Sequence, residues 1–135
     1  MEGESAGDRE SVNVFEIGGT LYFKHYFEGD DVFAKLREYY NGQQYRFEVP
    51  ADDFEQLMTY LRGHGYDLER VDKIEEFTVA VEQYTSHPEN IFKASVFQAQ
   101  TAEYNCFLLK DKSSVEEAVY AGAEELTELD IERPF

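Results

Sequence analysis

The sequence predicts a single α+β domain, in which a mixed or mostly antiparallel sheet packs against about three helices, and ferredoxin-like layering is one arrangement that fits. Three observations lead to this class. The length of 135 residues suits one domain with its own core. A hydrophobic content of 42% and an aromatic content of 16% exclude a disordered acidic chain. Segments in which apolar residues alternate are also interspersed with segments in which they recur every three or four residues.

The first residues differ from the rest of the chain. Residues 1–11 contain four acidic residues and almost nothing apolar, and such a composition cannot offset the entropy lost on ordering. We therefore expect a disordered acidic tail over residues 1–11 and a single α+β domain over residues 12–135.

A β-hairpin and a helix are predicted next. Apolar and polar residues alternate over 12–17 and over 21–27, and Gly18-Gly19 between them is typical of a hairpin turn. A helix is expected from residue 30 to about residue 40, because apolar residues recur there at helical spacing. One face of this helix should be buried, and it consists of Val32, Phe33, Leu36, Tyr39 and Tyr40.

Residues 45–71 are predicted to form a strand, a helix and a second strand. The strands cover residues 45–49 and 66–71, and Pro50 begins the helix between them. Two strands joined through a helix could pair in parallel. The helix has an apolar stripe that consists of Phe54, Leu57, Met58 and Leu61.

The remaining sequence predicts two strands, a helix and an edge strand. Residues 77–82 alternate, and residues 104–109 are so apolar that they should form a central strand. Ser113 and Glu116 have the spacing of a capping box, which indicates a helix that ends near residue 122. Residues 123–131 could add an edge strand. Residues 91–100 fit both a short helix and a strand, and the helix is favoured.

The chain is strongly acidic, with 29 acidic and 12 basic residues and a formal net charge of −17. Such a surface repels phosphate backbones and anionic lipid headgroups, so binding to nucleic acid or to a membrane is disfavoured. At 1 M salt the Debye length is about 3 Å and self-repulsion is screened, so this surface is typical of a halophilic protein. An ordinary acidic protein and a mimic of nucleic acid that occupies a basic partner are the alternatives.

The sequence also indicates where in the cell the protein is located and which kind of organism it comes from. No apolar run approaches the roughly 18–20 residues of a membrane span, and the N-terminus is acidic where a signal peptide would be basic, so we expect a soluble intracellular protein. Together with the acidic surface, the segments FKHYF (23–27), YRFEVP (45–50), HPENIFK (87–93) and FLLKD (107–111) resemble a small uncharacterised acidic protein family of halophilic archaea. The resemblance spans residues 12 to about 126 and implies a cytoplasmic protein of a salt-accumulating organism, but no activity and no site residues.

The sequence of the predicted domain indicates no catalytic motif, no cofactor and no metal site. GESAG over residues 3–7 matches Gly-x-Ser-x-Gly, but it lies in the predicted tail and not between a strand and a helix, where a nucleophile of this type is held. Gly18-Gly19 lacks the spacing of a nucleotide-binding fingerprint, and the three histidines are far apart in the sequence. Cys106 lies inside an apolar strand, and we expect it to be a core residue whose thiol has a raised pKa. Enzymatic activity is left open, and a non-enzymatic role is favoured.

Three windows of the sequence are unusually poor in acidic residues. Residues 17–27 and 39–47 contain none, and residues 90–110 contain only Glu103. Buried strands that exclude acids would explain this pattern, and so would a binding surface. The second interpretation rests on a strand face that alternates Tyr with Lys, a composition more typical of an interface than of a core. We predict that the partner-binding residues are Tyr22, Lys24, Tyr26, Arg46, Lys93 and Lys110.

The predicted function is a non-enzymatic binding or regulatory module of a halophilic cytoplasm, whose partner is another protein or a second copy of the chain. One alternative is association with the ribosome or RNA through the Lys-aromatic face, where stacking on Tyr offsets the screening by salt. A second alternative is a small-ligand-binding protein or an enzyme whose pocket lies near His25, His87, Asn105 and Lys110.

Overall fold

The computed structural model describes residues 9–86, 88 and 90–135. The chain divides into two compact units, of which unit 1 ends at Val71 and unit 2 begins at Asp72. Each unit has its own sheet and its own hydrophobic core, so the α+β class is confirmed with two sheets in place of the expected one. Most of the predicted tail, residues 1–8, lies outside the described residues, and so does His87.

In unit 1 the described residues form strands and helices in the order β1 (Glu10–Ile17), β2 (Thr20–Phe23), α1 (Asp30–Leu36), β3 (Tyr40–Asn41), β4 (Arg46–Pro50), α2 (Ala51–Arg62) and β5 (Tyr66–Arg70). A 3₁₀ turn over Arg37–Tyr39 connects α1 to β3. The strands form one mixed sheet in the order β3-β4-β2-β1-β5. Both helices contribute buried residues to the core on one face of this sheet.

Strand β1 begins at Glu10, inside the segment predicted as tail. The backbone N–H of Glu10 donates to the Gly65 carbonyl at 2.9 Å, and the Ser11 hydroxyl donates to the Glu69 carboxylate at 2.8 Å. These residues are ordered because they pair with β5 in parallel. The composition of residues 1–11 does not predict this strand, because the strand is held by a partner strand more than fifty residues away in the chain.

The β1–β2 hairpin is confirmed, but β2 is shorter than expected. Gly18 (φ 62) and Gly19 (φ 86) form its two-residue turn, and positive φ at both positions is what a type I′ turn requires. We expected the second strand to continue to residue 27, whereas it ends at Phe23. Its neighbour β4 begins only at Arg46, after Tyr45 turns the chain with a left-handed φ of 56. The pairing of β2 therefore ends early.

The strand–helix–strand segment over residues 45–71 is confirmed, but its two strands are not paired with each other. Strand β4 pairs antiparallel with β2 and β3, whereas β5 pairs parallel with β1. The β1–β2 hairpin lies between β4 and β5 because its apolar residues belong to the same core as α2. That shared core includes Val12, Val14, Leu21, Phe23, Phe54, Leu57 and Leu61.

In unit 2 the described residues form β6 (Thr78–Glu82), α3 (Ile91–Ala94), β7 (Ser95–Gln100), β8 (Tyr104–Leu109), α4 (Lys112–Tyr120) and β9 (Glu124–Glu125), with 3₁₀ turns over Ile74–Phe77 and Leu126–Glu128. The strands are antiparallel in the order β7-β8-β6-β9. This βαββαβ sequence of elements is the ferredoxin-like one. Residues of α3 and α4 pack with the sheet in one core that includes Val79, Val81, Ile91, Phe107, Leu109, Val115 and Ala118.

The local predictions for unit 2 have mixed outcomes. Residues 91–100 form a helical turn followed by a strand, so both interpretations apply, each to part of the segment. The central position of β8 and the edge strand β9 are confirmed. Helix α4 is capped by Asp111 and not by Ser113, since the Asp111 carboxylate accepts the Ser114 backbone N–H at 2.7 Å. No helix in the described part of the chain combines the length and apolar character needed to cross a membrane.

Candidate functional site

Unit 1 contains a cleft of ≈ 350 Å³ between the segment that follows β2, helix α1 and strands β3 and β4. We call it the aromatic cleft, because Phe and Tyr supply five of its eight lining residues. Most of the lining comes from the two acid-free windows, residues 17–27 and 39–47. The lining residues are His25, Tyr26, Phe27, Gly29, Asp30, Phe33, Tyr40 and Phe47.

The floor of the aromatic cleft is part of the core of unit 1. Phe27 and Phe47 are buried, and their rings contact each other edge-on with centroids 5.5 Å apart. Phe47 also stacks on Phe23 at 5.1 Å, and Phe27 contacts Tyr66 at 4.8 Å. Rings packed at these distances and angles hold one another in place. The cleft therefore has a preformed aromatic floor.

The walls and the edge of the aromatic cleft are exposed aromatic side chains. Phe33 of α1 and Tyr40 of β3 are 38% and 36% exposed, and their rings contact each other at 5.8 Å. Tyr40 is the cross-strand partner of Phe47 and contacts its ring at 5.0 Å, so the wall joins the floor. Tyr26 at the edge is 83% exposed. Three rings thus surround one opening while keeping much of their surface accessible.

The expectation that Phe33 and Tyr40 lie on the buried face of a helix is wrong. Val32 and Leu36 form that face, four residues apart, and Phe33 follows Val32 by one residue and so lies about 100° around the helix. The α-helix also ends at Leu36, so Tyr40 lies in β3. Helical spacing alone therefore misplaces both residues, because Phe33 lies off the buried face of the helix and Tyr40 lies beyond its end.

The segment that carries Tyr26 is fixed at several points. The His25 Nε2 atom lies 3.0 Å from the Glu10 carboxylate, and the His25 ring contacts the rings of Phe27 and Tyr66 at 5.0 and 5.6 Å. The backbone N–H of Glu28 donates to the Tyr66 hydroxyl at 3.0 Å. Because Phe27 is anchored in the core, its neighbour Tyr26 is presented outward.

The aromatic cleft has charged groups of both signs around it, because Asp30 lines it and the Arg37 guanidinium lies 5.9 Å from the centre of the Phe33 ring. Asp30 lines the cleft and is exposed, and the neighbouring Glu28 and Asp31 are exposed as well. His25 is the basic group among the lining residues, and it is already paired with Glu10. The cleft thus combines an apolar interior with one lining carboxylate, that of Asp30.

Two of the predicted partner-binding residues, Tyr22 and Arg46, lie together on the opposite face of the same sheet. The Arg46 guanidinium lies 4.7 Å from the centre of the Tyr22 ring, and its Nε donates to the Glu48 carboxylate at 2.8 Å. Asn41 donates to the same carboxylate at 2.9 Å. Partial burial alone would raise the pKa of Glu48, but the hydrogen bonds from Arg46 and Asn41 and the Arg46 charge outweigh it and lower that pKa. Arg46 is therefore engaged within the sheet.

The other four predicted residues lie elsewhere. Lys24 follows the end of β2, and Tyr26 lies at the edge of the aromatic cleft. Lys93 and Lys110 belong to unit 2, where the Lys110 backbone N–H donates to the carbonyl of Ala94, the residue after Lys93, at 2.9 Å. The expected strand face of Tyr22, Lys24 and Tyr26 is interrupted, because β2 ends at Phe23. A single surface made of all six residues stays a prediction.

The residues predicted for a small-ligand pocket are also distributed over the two units. His25 lines the aromatic cleft of unit 1, whereas Asn105 lines a second cleft of ≈ 320 Å³ in unit 2, together with Phe92, Gln98, Gln100 and Phe107. Asn105 accepts a hydrogen bond from the Gln100 amide at 2.8 Å. Lys110 follows β8, and His87 is outside the described residues.

In residues 9–86, 88 and 90–135, no three side chains of His, Cys, Asp or Glu form a group that could hold a metal ion. Cys106 is fully buried, and burial raises the pKa of its thiol, so its predicted place in the core is confirmed. Comparisons of this chain with protein-family models, with curated proteins and with solved structures found no match.

Proposed function

We propose that this protein is a non-enzymatic binding or regulatory module of a halophilic cytoplasm, and that it binds a partner protein through the aromatic cleft. The observation that carries the proposal is the convergence of Tyr26, Phe33 and Tyr40 on one cleft with a buried aromatic floor. This proposal keeps the function class predicted from the sequence, and of the six predicted surface residues it uses Tyr26.

Exposed aromatic side chains on a rigid support are the residue type that contributes most to protein–protein binding. Tyr, Trp and Arg dominate the binding energy of interfaces, and they act best in well-packed positions from which water is excluded. The Phe33–Tyr40 pair is held against Phe47 of the floor, so little side-chain freedom remains to be lost on binding. A partner that covers these rings removes apolar surface from water at a small entropic cost.

The acidic surface supports the proposal that the protein works in a halophilic cytoplasm, where the salt concentration is high. A net charge of −17 is compatible with a stable fold when salt screens the repulsion between carboxylates. The same screening weakens long-range attraction to a partner, because the Debye length falls to about 3 Å at 1 M salt. Contacts made by ring packing do not depend on long-range fields, so an aromatic cleft suits binding in such a medium.

The proposal is tested by partner capture with matched variants. The tagged protein and a Phe33→Ser, Tyr40→Ser variant are used to capture partners from a lysate of the source cells in 2 M KCl, and the captured proteins are identified by mass spectrometry. The control variant is Tyr84→Ser, Tyr120→Ser, which removes two rings of unit 2 that are 100% and 95% exposed. We expect the cleft variant to lose at least one partner that the control variant retains, while both have unchanged circular dichroism spectra.

Two outcomes would count against this proposal. If the cleft variant keeps every partner of the unmodified protein, the aromatic cleft is not the partner surface. If a captured partner disappears after treatment with nuclease, the association depends on RNA, and the ribosome or RNA alternative replaces the proposal.

A second candidate function is binding of a small ligand or an enzymatic reaction at the same cleft, and the position of His25 favours it. The imidazole lines the cleft and is paired with Glu10 at 3.0 Å, an arrangement that orients a histidine. Under this alternative, His25→Gln abolishes ligand binding, whereas under the partner-binding proposal it changes partner capture by less than the loss of Phe33 and Tyr40 does.

A further inference from the structure

We infer that the aromatic cleft receives an arginine side chain of the partner protein. This inference rests on the proposed function, because it names the group that the cleft recognises. It is carried by two features of the cleft that are found together, namely the aromatic lining and the carboxylate of Asp30 at the opening.

The aromatic lining provides faces on which a guanidinium group can stack. A cation over the face of Phe or Tyr, within about 6 Å of the ring centre, is attracted by the negative face of the ring. Arg is favoured over Lys in this role because its guanidinium is planar and weakly hydrated. The chain already uses this chemistry, since Arg46 lies over Tyr22 at 4.7 Å. Arg37 lies over Phe33 at 5.9 Å, so the partner's guanidinium has to stack on the other face of Phe33 or on Tyr26 or Tyr40.

The Asp30 carboxylate favours a cation over other occupants. Asp30 lines the cleft, so an anionic group that entered would be repelled by its charge. A purely apolar side chain would fill the aromatic interior but would leave Asp30 without a new partner. A guanidinium group can interact with both the rings and the carboxylate, because its planar face stacks on a ring while its N–H groups donate to a carboxylate.

The one basic lining residue does not oppose this assignment. His25 Nε2 is 3.0 Å from the Glu10 carboxylate, so a positive charge on this imidazole would be offset by its partner. The protein as a whole carries 29 acidic and 12 basic residues, which adds a general preference for basic partners. That general preference is shared by the entire surface, so the test must separate it from recognition at the cleft.

The test uses two peptides that differ only in charge. One is an acetylated and amidated Gly-Ser-Gly-Arg-Gly-Ser-Gly, and the other has citrulline, the neutral isostere, in place of arginine. Binding to the full chain is measured by nuclear magnetic resonance titration in 1 M KCl. We expect the arginine peptide to bind with a Kd in the millimolar range and the citrulline peptide to bind at least about fivefold more weakly.

Two pairs of variants then locate the site. Asp30→Asn and Asp31→Asn each remove one carboxylate from α1, but only Asp30 lines the cleft. We expect Asp30→Asn to weaken binding of the arginine peptide about threefold or more, and Asp31→Asn to change it less than about twofold. Phe33→Leu should weaken binding about fivefold, whereas Tyr84→Leu in unit 2 should leave it unchanged.

Each contrary result overturns the inference in a defined way. Equal binding of both peptides shows that the charge is not recognised. Equal effects of Asp30→Asn and Asp31→Asn show that the attraction comes from the acidic surface and not from the cleft. If neither peptide binds, the inference fails, and the partner-capture experiment still decides the proposed function by itself.

Discussion

Both units expose aromatic side chains, but they arrange them differently. In unit 1, Tyr26, Phe33 and Tyr40 surround one cleft whose floor is buried Phe27 and Phe47. In unit 2, Tyr84, Phe92 and Tyr120 are at least as exposed as Phe33, but Tyr84 and Phe92 line different clefts, and Tyr120 is the last residue of α4.

This difference shows that exposure alone does not identify a binding surface. Scattered exposed rings are common on soluble proteins. Rings that contact one another around a cavity form a surface on which a partner can pack, and only such a surface can become fully desolvated on binding. In unit 2 a single exposed ring, Phe92, packs against the buried Phe107, whereas in unit 1 three exposed rings share one cleft, and this convergence distinguishes the aromatic cleft.

The largest expected effect separates the floor of the cleft from its wall. Phe47→Ala removes a ring that is 2% exposed and should lower the free energy of unfolding by roughly 3–5 kcal/mol. Phe33→Ala removes a half-exposed ring and should lower it by about 1 kcal/mol. In unit 2 the buried Phe107 and the exposed Phe92 form a matched pair, and we expect the same contrast.

Urea unfolding in 1 M KCl, followed by circular dichroism, measures all four variants. If Phe33→Ala is as destabilising as Phe47→Ala, then Phe33 is a core residue and the cleft has no exposed wall. Unit 1 would then have no exposed aromatic wall that distinguishes it from unit 2.

The next effect concerns salt, and here the two units should behave alike. Residues 1–71 contain 15 acidic and 7 basic residues, and residues 72–135 contain 14 and 5, so the excess of negative charge is nearly equal. Raising KCl from about 0.1 to 2 M should stabilise the protein by roughly 2–4 kcal/mol, because repulsion between carboxylates is screened.

Thermal unfolding gives the total effect, and amide hydrogen exchange shows whether β1 and β8 are protected in parallel. A melting temperature that does not respond to KCl would contradict the halophilic part of the proposal. Stabilisation confined to one unit would show that local ion pairs, and not the overall charge, determine the response.

The smallest effect compares one ion pair from each unit. Glu48 in unit 1 accepts hydrogen bonds from Arg46 and Asn41, whereas Glu76 in unit 2 is paired with Lys112 at 3.6 Å between side chains that are about half exposed. At pH 7, Glu48→Gln should lower the free energy of unfolding by about 1–2 kcal/mol, and Glu76→Gln by less than about 0.5 kcal/mol.

The pH dependence has a definite sign. Because the pKa of Glu48 is lowered in the folded protein, its contribution is present above the ordinary value of 4.5 and is lost as the pH falls through the folded value. Urea unfolding at pH 7 and near pH 3 should therefore show the Glu48→Gln difference shrinking on acidification. A difference that is independent of pH would mean that the variant acts through packing and not through charge.

The sequence predicted most local structure in both units, because local structure depends on residues close together in the chain. The Gly18-Gly19 hairpin, the apolar stripe of α2 and the strands β6 and β8 of unit 2 all follow from such patterns. The pairing of β5 with β1 and the division into two sheets could not be predicted, because they depend on which distant strand each strand selects. Periodicity carries no information about that choice.

The cleft was predictable in part. Of the lining residues, Tyr26 was predicted to bind a partner. Tyr40 and Phe47 lie in the acid-free window of residues 39–47, but the residue predicted for binding there was Arg46. Phe33 was assigned to the core, because a ring at helical spacing is most often buried. No sequence feature marked Asp30 as a binding residue, because an acidic residue in the first turn of a helix is expected from the helix dipole alone.

Mapping where the arginine peptide binds tests most directly whether the aromatic cleft of unit 1 is the binding surface. Selective labelling of Phe and Tyr rings, with a titration in 1 M KCl, reports unit 1 and unit 2 in the same experiment. Saturable shifts are expected at Tyr26, Phe33 and Tyr40, and unchanged signals at Tyr84, Phe92 and Tyr120. Shifts centred on the rings of unit 2, or spread equally over both units, would contradict binding at the aromatic cleft.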